Sequence, residues 1–319
     1  MLYRILKLYV RFALRFFCRS LRINHPERLQ TSGPLLLACN HPNSFLDAII
    51  LDVLFTQPLW SLARGDAFKT PAIRRLLLKL KILPVYRTSE GVENLSENYN
   101  TFNSCIDLFR TGGQVIIFSE GRCVNEWHLR PLKKGTARLA MQAWKEGIPL
   151  QVLPVGINYS SFRRYGKNLI LNFGEMIEPT EFDLSQPDGA RNQAFNLRLK
   201  AELEKLVLEI PKENKELQEK LLVVRQPTLT RILLAVPALA GIIVHYPFYG
   251  VVKWKTNSKN VSDHYDSITM GLLMFFYPFY LLVLTVLACW LAGTAGLLVI
   301  LLIPFCGWAA MKLKPQLDK

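Results

Sequence analysis

The sequence predicts an α/β domain whose mostly parallel sheet is flanked by helices, with an amphipathic helix before it and a transmembrane hairpin after it. Three observations predict this. Short apolar runs alternate with helical stretches from Gly33 to about Pro179. Basic residues recur at helical spacing through the first 22 positions, and no charged side chain occurs from Ser267 to Met311. Strands alternating with helices are the pattern of a parallel sheet joined by crossover helices.

The N-terminal segment comes first. Arg4, Lys7, Arg11, Arg15, Arg19 and Arg22 fall on one helical face, and Leu2, Ile5, Leu6, Tyr9, Val10, Phe12, Phe16 and Phe17 fill much of the rest. A secretory signal keeps its charges ahead of an unbroken apolar stretch, whereas here the two are interleaved. Residues 1–28 are therefore expected to lie as an amphipathic helix in a membrane interface, with a basic surface helix packed on the domain as the alternative.

Residues 29–190 form the expected α/β domain. Pro34–Cys39, Leu59–Ala63, Ile82–Tyr86, Gln114–Phe118, Leu150–Ile157 and Asn168–Phe173 read as strands. Phe45–Phe55, Thr70–Lys81, Leu95–Arg110 and Lys134–Glu146 read as helices. Residues 191–228 are charged, helical and broken at Pro211, which suits a linker.

Residues 229–319 are expected to be membrane-embedded. A bilayer core takes about 20 apolar helical residues to cross, and the uncharged run from Ser267 to Met311 is 45 residues long. It predicts a two-helix hairpin, Ile268–Trp290 and Ala295–Met311, turning at Gly293–Gly296. The uncharged segment Ile232–Val252 contains Pro237, Gly241 and Pro247 and is expected to be re-entrant or interfacial, with a full span as the alternative. Lys253, Lys255 and Lys259 follow it, and Lys312, Lys314 and Lys319 follow the last apolar run. Lysine-rich short loops stay cytoplasmic, which places the α/β domain on that side.

A formal charge of +14 calls for anionic partners. Beside an apolar tail the lipid surface is the better fit, and no helix-turn-helix or RNA-binding signature points to nucleic acid. The six cysteines form no CxxC pair, which suits a reducing compartment without disulfides or a zinc site.

Four stretches carry candidate chemistry. Asn40-His41-Pro42-Asn43-Ser44-Phe45-Leu46-Asp47 follows the first strand. There His41 suits a general base and Asp47 the carboxylate that orients its ring. Alone, a histidine and an aspartate six apart are weak evidence, and a structural histidine is the commoner outcome. Phe118-Ser119-Glu120-Gly121-Arg122 also follows an apolar strand. Gly121 permits a tight turn, Arg122 can grip a phosphate, and Glu120 can orient it or meet acceptor hydroxyls; a solvated surface turn is the plain alternative. Ile82–Tyr86 leads into Arg87, a second candidate phosphate contact. Leu153-Pro154-Val155-Gly156 could wall an acyl-chain groove or be an ordinary core strand.

The order of these blocks resembles the glycerol-phosphate acyltransferase family, which includes the lysophosphatidic acid acyltransferases. The resemblance covers about Gly33 to Pro179 and extends to Arg64-Gly65-Asp66-Ala67-Phe68 and Lys133-Lys134-Gly135. It implies that His41 is the general base and Asp47 its partner, with Arg87 a phosphate ligand and Glu120 and Gly121 an acceptor-binding turn. Arg122, Lys133 and Lys134 become further candidates for substrate phosphate. The implied reaction transfers an acyl group from acyl-CoA or an acyl carrier protein to a lysophospholipid, 1-acylglycerol-3-phosphate first. Glycerol 3-phosphate, a lyso-aminolipid, or a non-catalytic lipid-binding role on the same fold are the alternatives. Neither a metal nor a cofactor is called for. Three departures stand out. Five residues rather than four separate His41 and Asp47, Ser119 replaces the usual proline, and Arg122 follows Gly121 directly. The first requires a turn after His41 unlike a plain helix start.

Overall fold

The structure is a computed structural model and describes residues 1–86, 95–257 and 263–318; Arg87 and Lys259 lie outside the described residues. Helix α1 spans Leu2–Phe17, and strand β1 follows at once over Cys18–Ile23. The expected helix over residues 1–28 is therefore shorter than its charge pattern suggested. In a strand, residues three apart face opposite sides. Accordingly Arg22 is exposed while Arg19 is buried, its guanidinium donating to the Met311 carbonyl at 2.7 Å rather than facing headgroups.

The remaining strands are β2 (Leu35–Cys39), β3 (Leu59–Arg64), β4 (Ile82–Val85), β5 (Gln114–Phe118), β6 (Gln151–Tyr159) and β7 (Lys167–Phe173). They form one seven-stranded sheet in the order β1-β7-β6-β2-β5-β3-β4. The pairings β2–β5, β2–β6, β3–β4 and β3–β5 are all parallel. Helices α2 (Phe45–Leu54), α3 (Pro71–Lys79), α4 (Leu95–Arg110) and α5 (Gly135–Lys145) connect them. Both faces of the central strands are dry, as a parallel sheet requires. Leu36, Ala38, Val115, Ile117 and Val152 join one core cluster, while Leu35, Leu37, Cys39, Ile116 and Leu153 on the other face are also buried.

Two compact units divide the chain. The first comprises residues 1–9, 22–158 and 170–212, and the second residues 10–21, 159–169 and 213–319. The stretch expected to be a linker is split between them. Helix α6 (Asp188–Leu206) buries Phe195, Leu199, Leu203 and Leu206 in the same cluster as Trp144 and Ala140 of α5. That i, i+4 stripe makes it a structural wall of the first unit, and Arg191 and Glu202 are buried beside it.

In the second unit, α7 (Lys215–Leu222) precedes three apolar helices: α8 (Thr228–Asn257), α9 (Tyr265–Ala292) and α10 (Val299–Leu313). Thr228–Asn257 and Tyr265–Leu313 are each long and apolar enough to cross a membrane. The turn between α9 and α10 falls where the glycines predicted. Gly293 takes φ +60, and a Cβ on Gly296 would lie 2.3 Å from the Cys289 nitrogen. Helix α8 runs unbroken through Pro237, Gly241 and Pro247. Two features support it there. A Cβ on Gly241 would meet the Cys306 carbonyl oxygen at 2.0 Å, so glycine lets α10 approach backbone to backbone. Beside Pro247, the Tyr280 hydroxyl donates to the Val244 carbonyl at 2.5 Å, meeting the need for internal satisfaction in an apolar setting. On either side of Gly241, α8 meets the C-terminal half of α10: Leu234 and Ala238 cluster with Ala309 and Ala310, and the Tyr249 ring lies under Lys314 Nζ. Lys167 and Asp266 form a buried ion pair in this unit, and the Lys167 ammonium also lies over the Phe17 and Tyr159 rings.

Candidate active site

Sheet register assembles the site. Cys39 at the end of β2 pairs with Phe118 of β5 on one side and Val155 of β6 on the other. The segments that continue past those residues therefore emerge side by side at one sheet edge. His41 and Glu120 lie two residues beyond the paired Cys39 and Phe118, so the first two sequence blocks meet because the strands are parallel and in register. Asn40 ties in the fourth block: its side-chain amide donates to the Ile157 carbonyl at 3.0 Å and accepts from the Ile157 N–H at 2.7 Å.

His41 Nδ1 lies 2.9 Å from Asp47 Oδ2. The Asp47 carboxylate is fully buried, His41 keeps 17% of its side chain exposed, and Asp47 Oδ2 also accepts the Asn43 N–H at 2.8 Å. With Nδ1 engaged, Nε2 is the nitrogen left to exchange a proton with a substrate. The Phe118 ring stacks on the imidazole, with centroids 3.8 Å apart and planes 13° from parallel. The ring is thus held at one nitrogen and on one face.

The extra residue between His41 and Asp47 is absorbed at Ser44, which takes φ +54 and ψ −143 immediately before α2. That region is close to glycine-only and costs about 1–3 kcal/mol for other residues. The backbone reverses there, so Asp47 in the first turn of α2 points back at His41. The Cys123 sulfur accepts the Ser44 N–H at 2.9 Å and holds the strained residue in place.

Glu120 frames the site from the other side. Its Oε2 accepts the His41 N–H at 2.9 Å and its Oε1 the Arg130 N–H at 3.0 Å. Burial pushes its carboxyl above the ordinary value, against the pull of the Arg130 and His41 backbone donors. The carboxylate expected to meet acceptor hydroxyls thus spends both oxygens on backbone. Ser119, in place of proline, donates its N–H to the Cys39 carbonyl at 2.8 Å, and its hydroxyl accepts from Thr136 at 3.0 Å. A proline could not make the first bond.

Gly121 takes φ +66 and lets the Lys133 side chain pass close by, since a Cβ there would meet Lys133 Cγ at 3.0 Å. Arg122, Lys133 and Lys134 are exposed at this turn and at the start of α5. A helix N-terminus adds partial positive charge for an anion. Leu153, Pro154, Val155 and Gly156 are buried in the core, and a Cβ on Gly156 would lie 2.4 Å from the Leu206 carbonyl oxygen. This block is a core strand closely backed by the end of α6. Arg87 continues from the end of β4 and lies outside the described residues.

Sequence reasoning assigned no job to Asn40 or Cys123. Asn40 stood inside the quoted block, and an amide at a strand end beside a histidine was the available signal. Nothing local marked Cys123, whose partner Ser44 is 79 positions away.

A family model described as Acyltransferase matches residues 20–158. Residues 20–158 are thus similar to an acyltransferase domain. The matched range contains His41, Asp47, Glu120, Gly121, Arg122, Lys133 and Lys134. Among solved structures, the chain is similar to the 1-acyl-sn-glycerophosphate (LPA) acyltransferase PlsC from Thermotoga maritima. The two are 17% identical with a TM-score of 0.44, covering 64% of this chain and 79% of that one. No curated protein sequence matches the chain.

Proposed function

We propose that the chain is an O-acyltransferase that moves a fatty acyl group from a thioester donor to the free hydroxyl of a lysophospholipid, 1-acylglycerol-3-phosphate first among them. The observation that carries this reading is the 2.9 Å contact between His41 Nδ1 and a buried Asp47 inside residues similar to an acyltransferase domain. His41 Nε2 takes the acceptor's hydroxyl proton as the oxygen attacks the thioester carbonyl. The tetrahedral oxyanion then collapses, the C–S bond breaks, and the departing thiolate takes the proton back from His41. Asp47 stabilises the imidazolium between those steps. A positioned general base supplies about 10²–10⁴-fold, and fixing two substrates together supplies much of the rest.

Exposed Arg122, Lys133 and Lys134 favour a phosphate-bearing acceptor, with Arg87 as a further ligand. The same cations suit the acidic donor, acyl-CoA or acyl carrier protein. The apolar helices of the second unit suit a membrane, where lysophospholipids dissolve, with the lysines at the ends of α8 and α10 on the cytoplasmic side. Purified protein in neutral detergent, given a panel of lyso-lipids and both thioester donors, should form phosphatidic acid and release one free thiol per product, with His41→Ala at least 100-fold slower. An Arg87→Ala variant that slows only phosphate-bearing acceptors supports the assignment. Undiminished turnover by His41→Ala would sink it.

A further inference from the structure

Arg4 and Lys7 of α1 and Lys79 and Lys81 around the end of α3 line a cavity of about 540 Å³ in the first unit, closed on one side by Thr56 and Gln57. Among the described residues no carboxylate lines it. The nearby acid, Asp52, is already engaged: it accepts from the Tyr3 hydroxyl at 2.6 Å and pairs with Lys7 at 3.5 Å. Lys81 is steadied over the Trp60 ring, 4.5 Å from its centroid. Arg4 and Lys79 are exposed, with their charge directed to whatever enters.

This cavity is not part of the catalytic site. Residues 56–58 precede β3 and Lys81 precedes β4, so it opens at the N-terminal edge of the parallel strands, whereas His41 follows the C-terminal end of β2. A five-residue strand separates those edges by about 17 Å.

The helices that carry these cations also expose apolar side chains. On α3, Ile73 and Leu76 are exposed and precede Lys79 at three-residue steps, forming one stripe that ends in a cation. On α1, exposed Leu8 lies one turn beyond Arg4, and Ile5 is exposed beside it. A cationic cavity on two helices that also expose leucine and isoleucine matches a molecule with a phosphate at one end and hydrocarbon at the other. We infer that this cavity binds the headgroup phosphate of an anionic membrane phospholipid, seating the first unit on the bilayer through α1 and α3 together. The lipid here is a structural partner, separate from the substrate of the proposed reaction.

The test uses the full-length protein in neutral detergent. It is titrated with short-chain phosphatidylglycerol, short-chain phosphatidylcholine and inorganic phosphate, while hydrogen exchange is followed in residues 2–9 and 73–81. Phosphatidylglycerol should slow exchange in both segments, and phosphatidylcholine and phosphate should not at equal concentration. Each cation near an anionic lipid contributes about five-fold in affinity, so Arg4→Gln/Lys79→Gln should weaken the midpoint at least ten-fold. Both replaced side chains are exposed, and an unchanged Tm confirms that the variant is folded. Equal protection by phosphatidylcholine would reduce the face to a plain apolar contact, and equal protection by phosphate would make the cavity a free-anion site. Either result, or a double variant that binds like the parent, overturns the inference.

Discussion

Replacing Glu120 by glutamine isolates the part of the site that the sequence alone misassigns most easily. The carboxylate has two oxygens on two backbone N–H groups, His41 at 2.9 Å and Arg130 at 3.0 Å. Glutamine keeps one oxygen and turns its NH₂ toward the other donor. A buried N–H stripped of its acceptor costs about 1–3 kcal/mol. Part of that is offset because the variant no longer buries a charge, a burden visible in the raised Glu120 carboxyl. The net loss should be about 1–2 kcal/mol, or a few degrees of Tm for a unit of this size. The catalytic effect should be larger, because the released backbone belongs to His41 itself. A shift of about 1 Å in a catalytic group costs up to about 100-fold. In a thiol-release assay kcat should therefore fall about 10- to 100-fold, with the acceptor KM within about three-fold. If instead KM rises ten-fold while kcat holds, Glu120 touches the acceptor and the framing role is refuted.

The same group predicts a pH signature. A carboxyl raised in the folded state holds its proton more tightly there than in the unfolded chain. Its contribution to stability is full below the ordinary glutamate pKa and is lost as pH rises through the raised one. The Tm advantage of the parent over Glu120→Gln should accordingly shrink as pH climbs from 4 upward. An advantage that grows with pH contradicts the burial argument.

Three further outcomes are expected. Ser44→Gly should retain activity and raise Tm slightly, because glycine occupies φ +54 freely, whereas Ser44→Val should lose about 1–3 kcal/mol and most of its turnover. Cys123→Ala should lower kcat about 3- to 20-fold at constant KM by removing the acceptor of the Ser44 N–H, about 1–3 kcal/mol of buried pairing; in a Ser44→Gly background the penalty should be smaller, and equal penalties in both backgrounds would uncouple the two residues. Asp266→Asn should destabilise the second unit by about 3–5 kcal/mol because it strands the buried Lys167 charge, and Lys167→Met/Asp266→Leu should recover most of that by thermal unfolding in detergent.

The legible parts of this molecule were those governed by short-range periodicity. The five-residue runs at β2 and β5 and the charge-free tail are recognisable because burial on both faces, or in lipid, demands unbroken apolar sequence. The boundary between α1 and β1 was not legible. Arg15, Arg19 and Arg22 continue a helical spacing straight through it, and only pairing within the sheet converts Cys18–Ile23 to strand. Helix α6 was misread for a related reason: ten charged or amide side chains across Asp188–Leu206 outweigh, on composition, the four apolar residues that bury it. In the site, His41 and Asp47 stood out locally only as weak candidates and took their roles from the ordered resemblance, whereas the jobs of Glu120, Asn40 and Cys123 depend on partners 79 to 117 positions away.

The three departures from the family pattern meet at one place in the fold and compensate one another. Adding a residue between His41 and Asp47 would swing the carboxylate around the helix by roughly 100°. Ser44 cancels that swing by reversing the backbone, at a conformational cost. Cys123, the residue after Arg122, accepts the N–H of that strained residue. Serine at 119 then restores through its N–H a bond to Cys39, anchoring the strand end from which His41 projects. A longer first block is therefore tolerable only alongside a matching second block. Deleting Ser44 alone should not recreate the shorter family spacing with activity: the Cys123 sulfur would lose its donor and α2 would begin out of phase with Asp47. A deletion variant with parental kcat would show that the two blocks are independent, and that the His41–Asp47 contact is set by α2 alone.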